Sequence, residues 1–165
     1  MKKFGDVFKD VATIKAYAAR TIKQDPLQSF MFRVQLSGMS GEIGFQKVSG
    51  LSREVEVVEY FENMYEHAHK LPGRESVGEV TFEKGMFPDD LTFVKEYEKV
   101  LGANKDECRH EVTIQIMNRF NEVKRTFTLY EAWFSKYEVA DLDSNSSDVI
   151  IETLTVQFEY MTCDQ

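Results

Sequence analysis

Few side chains in this sequence are spaced for chemistry. His67-Ala68-His69 sets two imidazoles two residues apart, which on a strand puts both rings on one face. That is half of a metal site, and no third or fourth ligand stands at a zinc-like spacing from it. Glu54 and Glu56 imitate an acid–base pair, but two carboxylates at i and i+2 on an exposed strand read as solvated charges. Asp141, Asp143, Asn145 and Asp148 resemble a calcium loop that lacks both its sixth-position glycine and its closing glutamate. Cys108 and Cys163 form neither a CxxC nor a metal spacing, although a bridge between them or between subunits stays open. There is no GxSxG, no phosphate-binding P-loop, no GxGxxG ahead of a helix and no HExxH. Without a nucleophile–base signature the expectation is a protein that is not an enzyme and takes no cofactor or metal.

Composition sets the frame for the elements around these residues. A chain of 165 residues fits one domain, long enough to bury a real core without staples. The formal charge of -8 argues against a general nucleic-acid binder, whose footprint is basic. Phe and Tyr are abundant, at 13 and 7, which suits strands and interfaces alike. No apolar run of about twenty residues suggests a membrane span, and no apolar leader with a small-residue cleavage site suggests secretion. With two cysteines a reducing compartment is the default.

The chain divides into an arm, residues 1–26, and a body, residues 27–165. In the arm Phe4, Val7, Phe8, Val11, Ile14, Ala18 and Ile22 recur at helical spacing. Residues 1–25 hold six basic and three acidic side chains, so this segment is +3 and the remaining 140 residues are -11. A basic amphipathic arm on an acidic body invites docking, within one subunit or between neighbours; a frayed terminus or a membrane-surface helix are the other readings. Asp25-Pro26 is a natural stop.

In the body, Phe30, Phe32, Val34 and Leu36 alternate as a half-buried strand, and the segment from Ile43 to Val48 is expected to return as its hairpin partner. Leu91, Val94, Tyr97 and Leu101, flanked by Phe93 and Val100, predict a helix capped by Asp89 or Asp90 and ended at Gly102. Residues 103–110 read as a polar loop. Glu111 to Met117 and Lys124 to Tyr130 form a hairpin about Asn118–Glu122, with Trp133, Phe134, Tyr137 and Val139 following. From Val149 to Met161 the alternation changes phase, which predicts a bulge near Thr153 in a strand serving two sheets.

The stretch Val48 to Gly85 organises the body. A strand-like run, Arg53 to Tyr60, is followed by sixteen residues without period, Phe61 to Ser76, and by a second run, Val77 to Glu83. The intervening segment is expected to be a long loop, interrupted by Leu71-Pro72-Gly73. It carries Phe61, Met64, Tyr65, His67, His69 and Leu71, too apolar for a solvated linker.

The order "VSGL…E.E..EY…KLPG……VTFEKG", followed by "DLD…IETLTVQFEY", resembles the tail-tube proteins of contractile-tailed phages and the inner-tube proteins of contractile injection systems, over roughly residues 27 to 165. The resemblance implies a mainly β (α+β) fold: an antiparallel β-sandwich or half-open barrel with one flanking helix, here with a helical N-terminal arm. It implies hexameric rings stacked into a tube, with sheath, baseplate and tail-terminator proteins as partners. DNA or effectors would pass through without sequence-specific binding, in a particle assembled in the bacterial host cytoplasm without stable membrane association. A baseplate or terminator homologue and a secreted type VI ring protein share the fold. The resemblance places a ring contact on Phe61 to Ser76. We expect Phe61, Met64, Tyr65, His67, His69 and Leu71, with Phe4, Phe8 and Val11 of the arm, at subunit interfaces. Glu54, Glu56, Glu79 and Glu83 are candidates to face an acidic lumen. Phe61-Glu62-Asn63-Met64-Tyr65, where many members have a glycine-rich step, and the ending Phe158-Glu159-Tyr160 depart from the family pattern.

Overall fold

The structure is a computed structural model that describes residues 26–38, 43–63, 66–102 and 108–165. The expected arm, with Phe4, Phe8 and Val11, lies outside the described residues, as do Met64 and Tyr65. Among the described residues nine strands and one helix follow in the order β1 (Phe32–Leu36), β2 (Lys47–Ser49), β3 (Arg53–Tyr60), β4 (His69–Val77), β5 (Val80–Gly85), α1 (Thr92–Leu101), β6 (His110–Met117), β7 (Val123–Val139), β8 (Ile151–Gln157) and β9 (Tyr160–Asp164). The fold is mainly antiparallel β with one flanking helix, as expected.

All strand pairs are antiparallel. The main sheet runs β1-β6-β7-β8-β5-β2, with β9 also on β7, while β3 and β4 pair, among the described residues, only with each other. The path closes on neither side, so β1 and β2 each pair along one edge among the described residues. The core is built on Val34, Phe82, Phe93, Val112, Leu129, Phe134, Leu154 and Val156. Alternation explains each contribution: Val80, Phe82 and Lys84 point inward from β5, and Val112 and Ile114 from β6.

Several local expectations are corrected. The segment from Ile43 to Val48 does not return against β1; β2 pairs β5, Val48 opposite Phe82, and β1 pairs β6. The turn after β1 allowed a hairpin, but the matching apolar faces lie further along the chain. Phe61 to Ser76 is not one long loop, because His69–Val77 is a strand that pairs β3 from Tyr60 opposite His69 to Arg53 opposite Val77. Leu71-Pro72-Gly73 imitates a turn yet sits at a register shift inside that strand. Gly73 occupies the tight point, where a Cβ would lie 3.0 Å from the Glu56 carbonyl oxygen. The second run is split: Val77 closes β4, and β5 begins at Val80.

The helix forms where expected, but its buried side is turned. Phe93 and Glu96 are the buried residues, whereas Leu91 and Leu101 are exposed. The N-cap is Leu91, without a side-chain cap, and not Asp89 or Asp90 as expected; Asp90, one residue earlier, accepts a 3.0 Å hydrogen bond from the Thr92 N–H in an Asx turn, and the Gly102 N–H closes on the Lys99 carbonyl. The helix packs on β7, with Phe93 stacked on Phe45 at 5.9 Å and Tyr97 against Tyr137 at 6.5 Å.

The Asn118–Glu122 hairpin forms, with the Asn118 side-chain oxygen accepting the N–H groups of Phe120 and Glu122. Its second strand continues for 17 residues as β7. The last apolar run keeps an unbroken register through Thr153, and the interruption falls at Phe158-Glu159 instead. The apparent change of phase arises because Glu152 occupies a core position in line with Leu154, Val156 and Phe158. The bulges lie on β7, where Glu131 takes a left-handed φ of 54° and the register shifts again between Phe134 and Lys136. Arg109 holds this corner by bonding Glu159 at 2.6 Å and Glu131 at 3.2 Å, beside the stacked rings of Tyr130 and Tyr160.

Candidate assembly interface

The β3–β4 ribbon is where sequence and packing disagree with a solitary existence. Every residue of β3 is exposed, and only Gly73 and Val77 of β4 are partly covered. Val55, Val57, Val58, Tyr60, Phe61 and Leu71 are nonetheless large and apolar, Phe61 being 71% exposed. A two-stranded ribbon is marginal in water at best. Its eight-residue first strand extends about 26 Å. Two cross-strand ion pairs, Arg53–Glu75 and Lys70–Glu59, lie in solvent, where such pairs contribute little. The Arg53 guanidinium holds the Glu75 carboxyl below its ordinary value through their hydrogen bond.

The base of the ribbon is fixed more firmly. Gly50 has a φ of 89°, and a Cβ there would lie 2.1 Å from the Glu79 carbonyl oxygen, so only glycine fits. The Gly78 N–H bonds the Ser52 carbonyl, and Leu51 and Val77 pack on the core. A rigid root thus carries an apolar ribbon away from the body.

The expected site residues separate into groups. Phe61, His67, His69 and Leu71 come together at the outer half of the ribbon, His69 opposite Tyr60, and the two histidines are exposed. Glu54 and Glu56 stand on β3. Glu79 and Glu83 share the outer face of β5 and its approach, where Glu79 accepts from Gln157 at 3.0 Å and Glu83 pairs with Lys47 at 2.7 Å. Among the described residues no three His, Cys, Asp or Glu side chains cluster as a metal site would require. Cys108 is buried and Cys163 exposed, with no disulfide joining them. No helix among the described residues is long and apolar enough to cross a membrane.

Sequence reasoning missed a buried charge centre beneath α1. Lys84 is 1% exposed and lies beside Asp90, which is half-open to solvent, and 3.9 Å from the buried Glu152. The Lys84 ammonium sits 4.3 Å above the Phe93 ring. Hydrogen bonds from Lys84 and Thr92 hold the Asp90 carboxyl down at about 2. Burial pushes Glu152 up, with Lys84 opposing the shift, and burial likewise raises Tyr137. Nearby, His110 faces the Ser37 carbonyl through Nδ1 at 3.0 Å and Glu96 through Nε2 at 3.2 Å, its ring against Phe134. These groups fasten the helix to the sheet, although Glu96 Oε2, His110 Nε2 and Glu152 Oε2 are buried with an ion-pair neighbour but no hydrogen bond of good geometry.

Residues 28–162 match the family model of the T4-like virus tail tube protein gp19. The chain belongs to this tail tube family. No curated protein matches it. Among solved structures, this tube protein is similar to a chain of the sheath-tube complex of an extracellular contractile injection system, PVC, in the extended state. The two are 22% identical with a TM-score of 0.76, over 87% of this chain and 94% of that one. A chain of the anti-feeding prophage baseplate is 25% identical with a TM-score of 0.72, over 85% and 96% of the two chains. Hcp1 from Flavobacterium johnsoniae shares the fold at 14% identity and a TM-score of 0.50, over 81% and 94%. The chain is therefore a structural protein of the tail tube family, and its fold is shared by chains of contractile injection systems.

Proposed function

We propose that this tube protein forms hexameric rings that stack into the inner tube of a contractile particle, a phage tail or a phage-like injection system. The tube conducts DNA or effectors through a cell envelope, with sheath, baseplate and terminator proteins as partners, and the subunit performs no catalysis. The observation that carries this reading is the β3–β4 ribbon, whose apolar side chains have no cover among the described residues. Full burial of each large side chain at a neighbour stabilises the contact by about 1.5–3 kcal/mol. Heterologous contacts of this kind close into rings or run on as filaments. Glu54, Glu56, Glu79 and Glu83 are assigned to the lumen side, where like charge keeps DNA from adhering.

The test uses the purified full chain and the variant Val57→Glu/Leu71→Glu. The wild type forms rings and tubes in negative stain, while the variant keeps its circular dichroism spectrum and melting temperature and forms none. Persistent tubes in the variant would place the interface elsewhere. A second reading, a baseplate homologue that starts the tube, draws on the 25% identity to the baseplate chain. Copy number per particle separates the two, since a shaft protein is present in many rings and an initiator in one or two.

A further inference from the structure

The two edges of the main sheet that are unpaired among the described residues border one groove. It has a volume of about 640 Å³ and lies between β1 and β2. Phe32, Val48, Leu51, Ile114 and Ile116 line it, with Phe30 exposed at its lip. That volume is in the range that seats a drug-sized molecule, hence a few apolar side chains. Unpaired edges over an apolar floor are a liability that folded proteins cover.

We propose that the groove is the seat of this chain's own N-terminal arm, residues 1–25, in the free subunit. Three observations select this occupant. First, Gln28, Ser29 and Phe30 themselves line the groove, so the arm is tethered at its lip and present at the millimolar effective concentration of a short linker. Second, the arm's apolar residues nearest that tether, Val11, Ile14, Ala18 and Ile22, recur at helical spacing, and a helix from Ile14 to Asp25 would rise about 17 Å, the length of the five-residue β1. Third, the arm is +3 against a body of -11, so long-range attraction favours docking. The family match spans residues 28–162 and leaves the arm outside it. The seat covers both edges until the subunit joins a ring.

The experiment places a photocrosslinker in the full chain, Ile14→p-benzoylphenylalanine, and maps the adducts by mass spectrometry on dilute, unassembled protein. The expected result is adducts within one chain, on peptides containing Phe45 to Leu51 or Ile114 to Ile116. Adducts joining two chains, adducts on the β3–β4 ribbon, or no adduct would overturn the proposal. A second full-length variant, Val11→Ser/Ile14→Ser/Ile22→Ser, is compared by hydrogen exchange. The amides of β1 and β2 are expected to exchange at least about tenfold faster than in the wild type, while β8 is unchanged. Equal rates in β1 and β2 would also overturn it. Because both measurements use the free subunit, their failure leaves the tube assignment standing, and the absence of tubes leaves the seat standing.

Discussion

Lys84→Met tests the claim that a buried ion cluster fastens α1 to the sheet. The substitution keeps the length of the stem but removes a cation that is 1% exposed, leaving Glu152 buried without its partner 3.9 Å away. Breaking such a pair costs about 3–5 kcal/mol. The lost contact with the Phe93 ring is part of that figure. The pH dependence has a definite sign. Asp90 is depressed from 3.8 to about 2 in the fold, so the stability it lends is present above its unfolded value and disappears as pH falls through about 2. A shift of nearly two units corresponds to about 2.4 kcal/mol, which partial exposure of the carboxylate reduces to about 1–1.5 kcal/mol. Glu152 is raised in the fold, so its burden on the variant is relieved as pH falls through that raised value. Both effects narrow the gap between wild type and Lys84→Met in acid. Urea unfolding followed by circular dichroism, at about pH 7 and about pH 3, measures it. The double variant Lys84→Met/Glu152→Gln should recover at least about 1.5 kcal/mol of the loss. A single variant within about 1 kcal/mol of wild type, or a double variant as unstable as the single, would refute the reasoning.

Other outcomes follow from the same structure. Phe93→Ala should destabilise the subunit by about 3–5 kcal/mol in urea unfolding, because its ring is fully buried between Phe45 and the Lys84 side chain. Gly50→Ala should lower stability by about 2 kcal/mol or more, since the added Cβ meets the Glu79 carbonyl and the residue sits at positive φ. Gly73→Val should leave subunit stability within about 0.5 kcal/mol yet prevent tube formation in negative stain, because it disturbs the register of an exposed ribbon at Glu56 and Val58.

Elements with clean alternation were legible in the sequence: β1, the Asn118–Glu122 hairpin and the inward faces of β6 and β8. The helix was legible in position but not in rotation, because periodicity scores apolar residues and the core side of α1 includes Glu96. The same blindness affected β5 and β8, where Lys84 and Glu152 occupy core positions as each other's counter-charge. A buried charge announces itself only through a partner that is far away in sequence. β4 was hidden for a different reason. Neither of its faces is buried, so it has no alternation to display, and its Pro72-Gly73 pair reads as a turn. The pairing of β2 with β5 rather than β1 is a choice between two apolar partners that local pattern does not rank.

The 17-residue β7 is the spine of the subunit. At about 3.3 Å per residue it runs roughly 56 Å, less what its bulges take up. β6 lines one edge, and β8 and β9 line the other. A thrust along this direction loads the flanking ladders in shear, with many hydrogen bonds sharing it, and the covalent chain crosses from one end of the body to the other. Neither half can slide past its counterpart without breaking the strand that both contain. Such a subunit behaves as a stiff strut, so the compliance that lets a tube flex would reside at the joints between subunits, where we propose that the β3–β4 ribbon crosses.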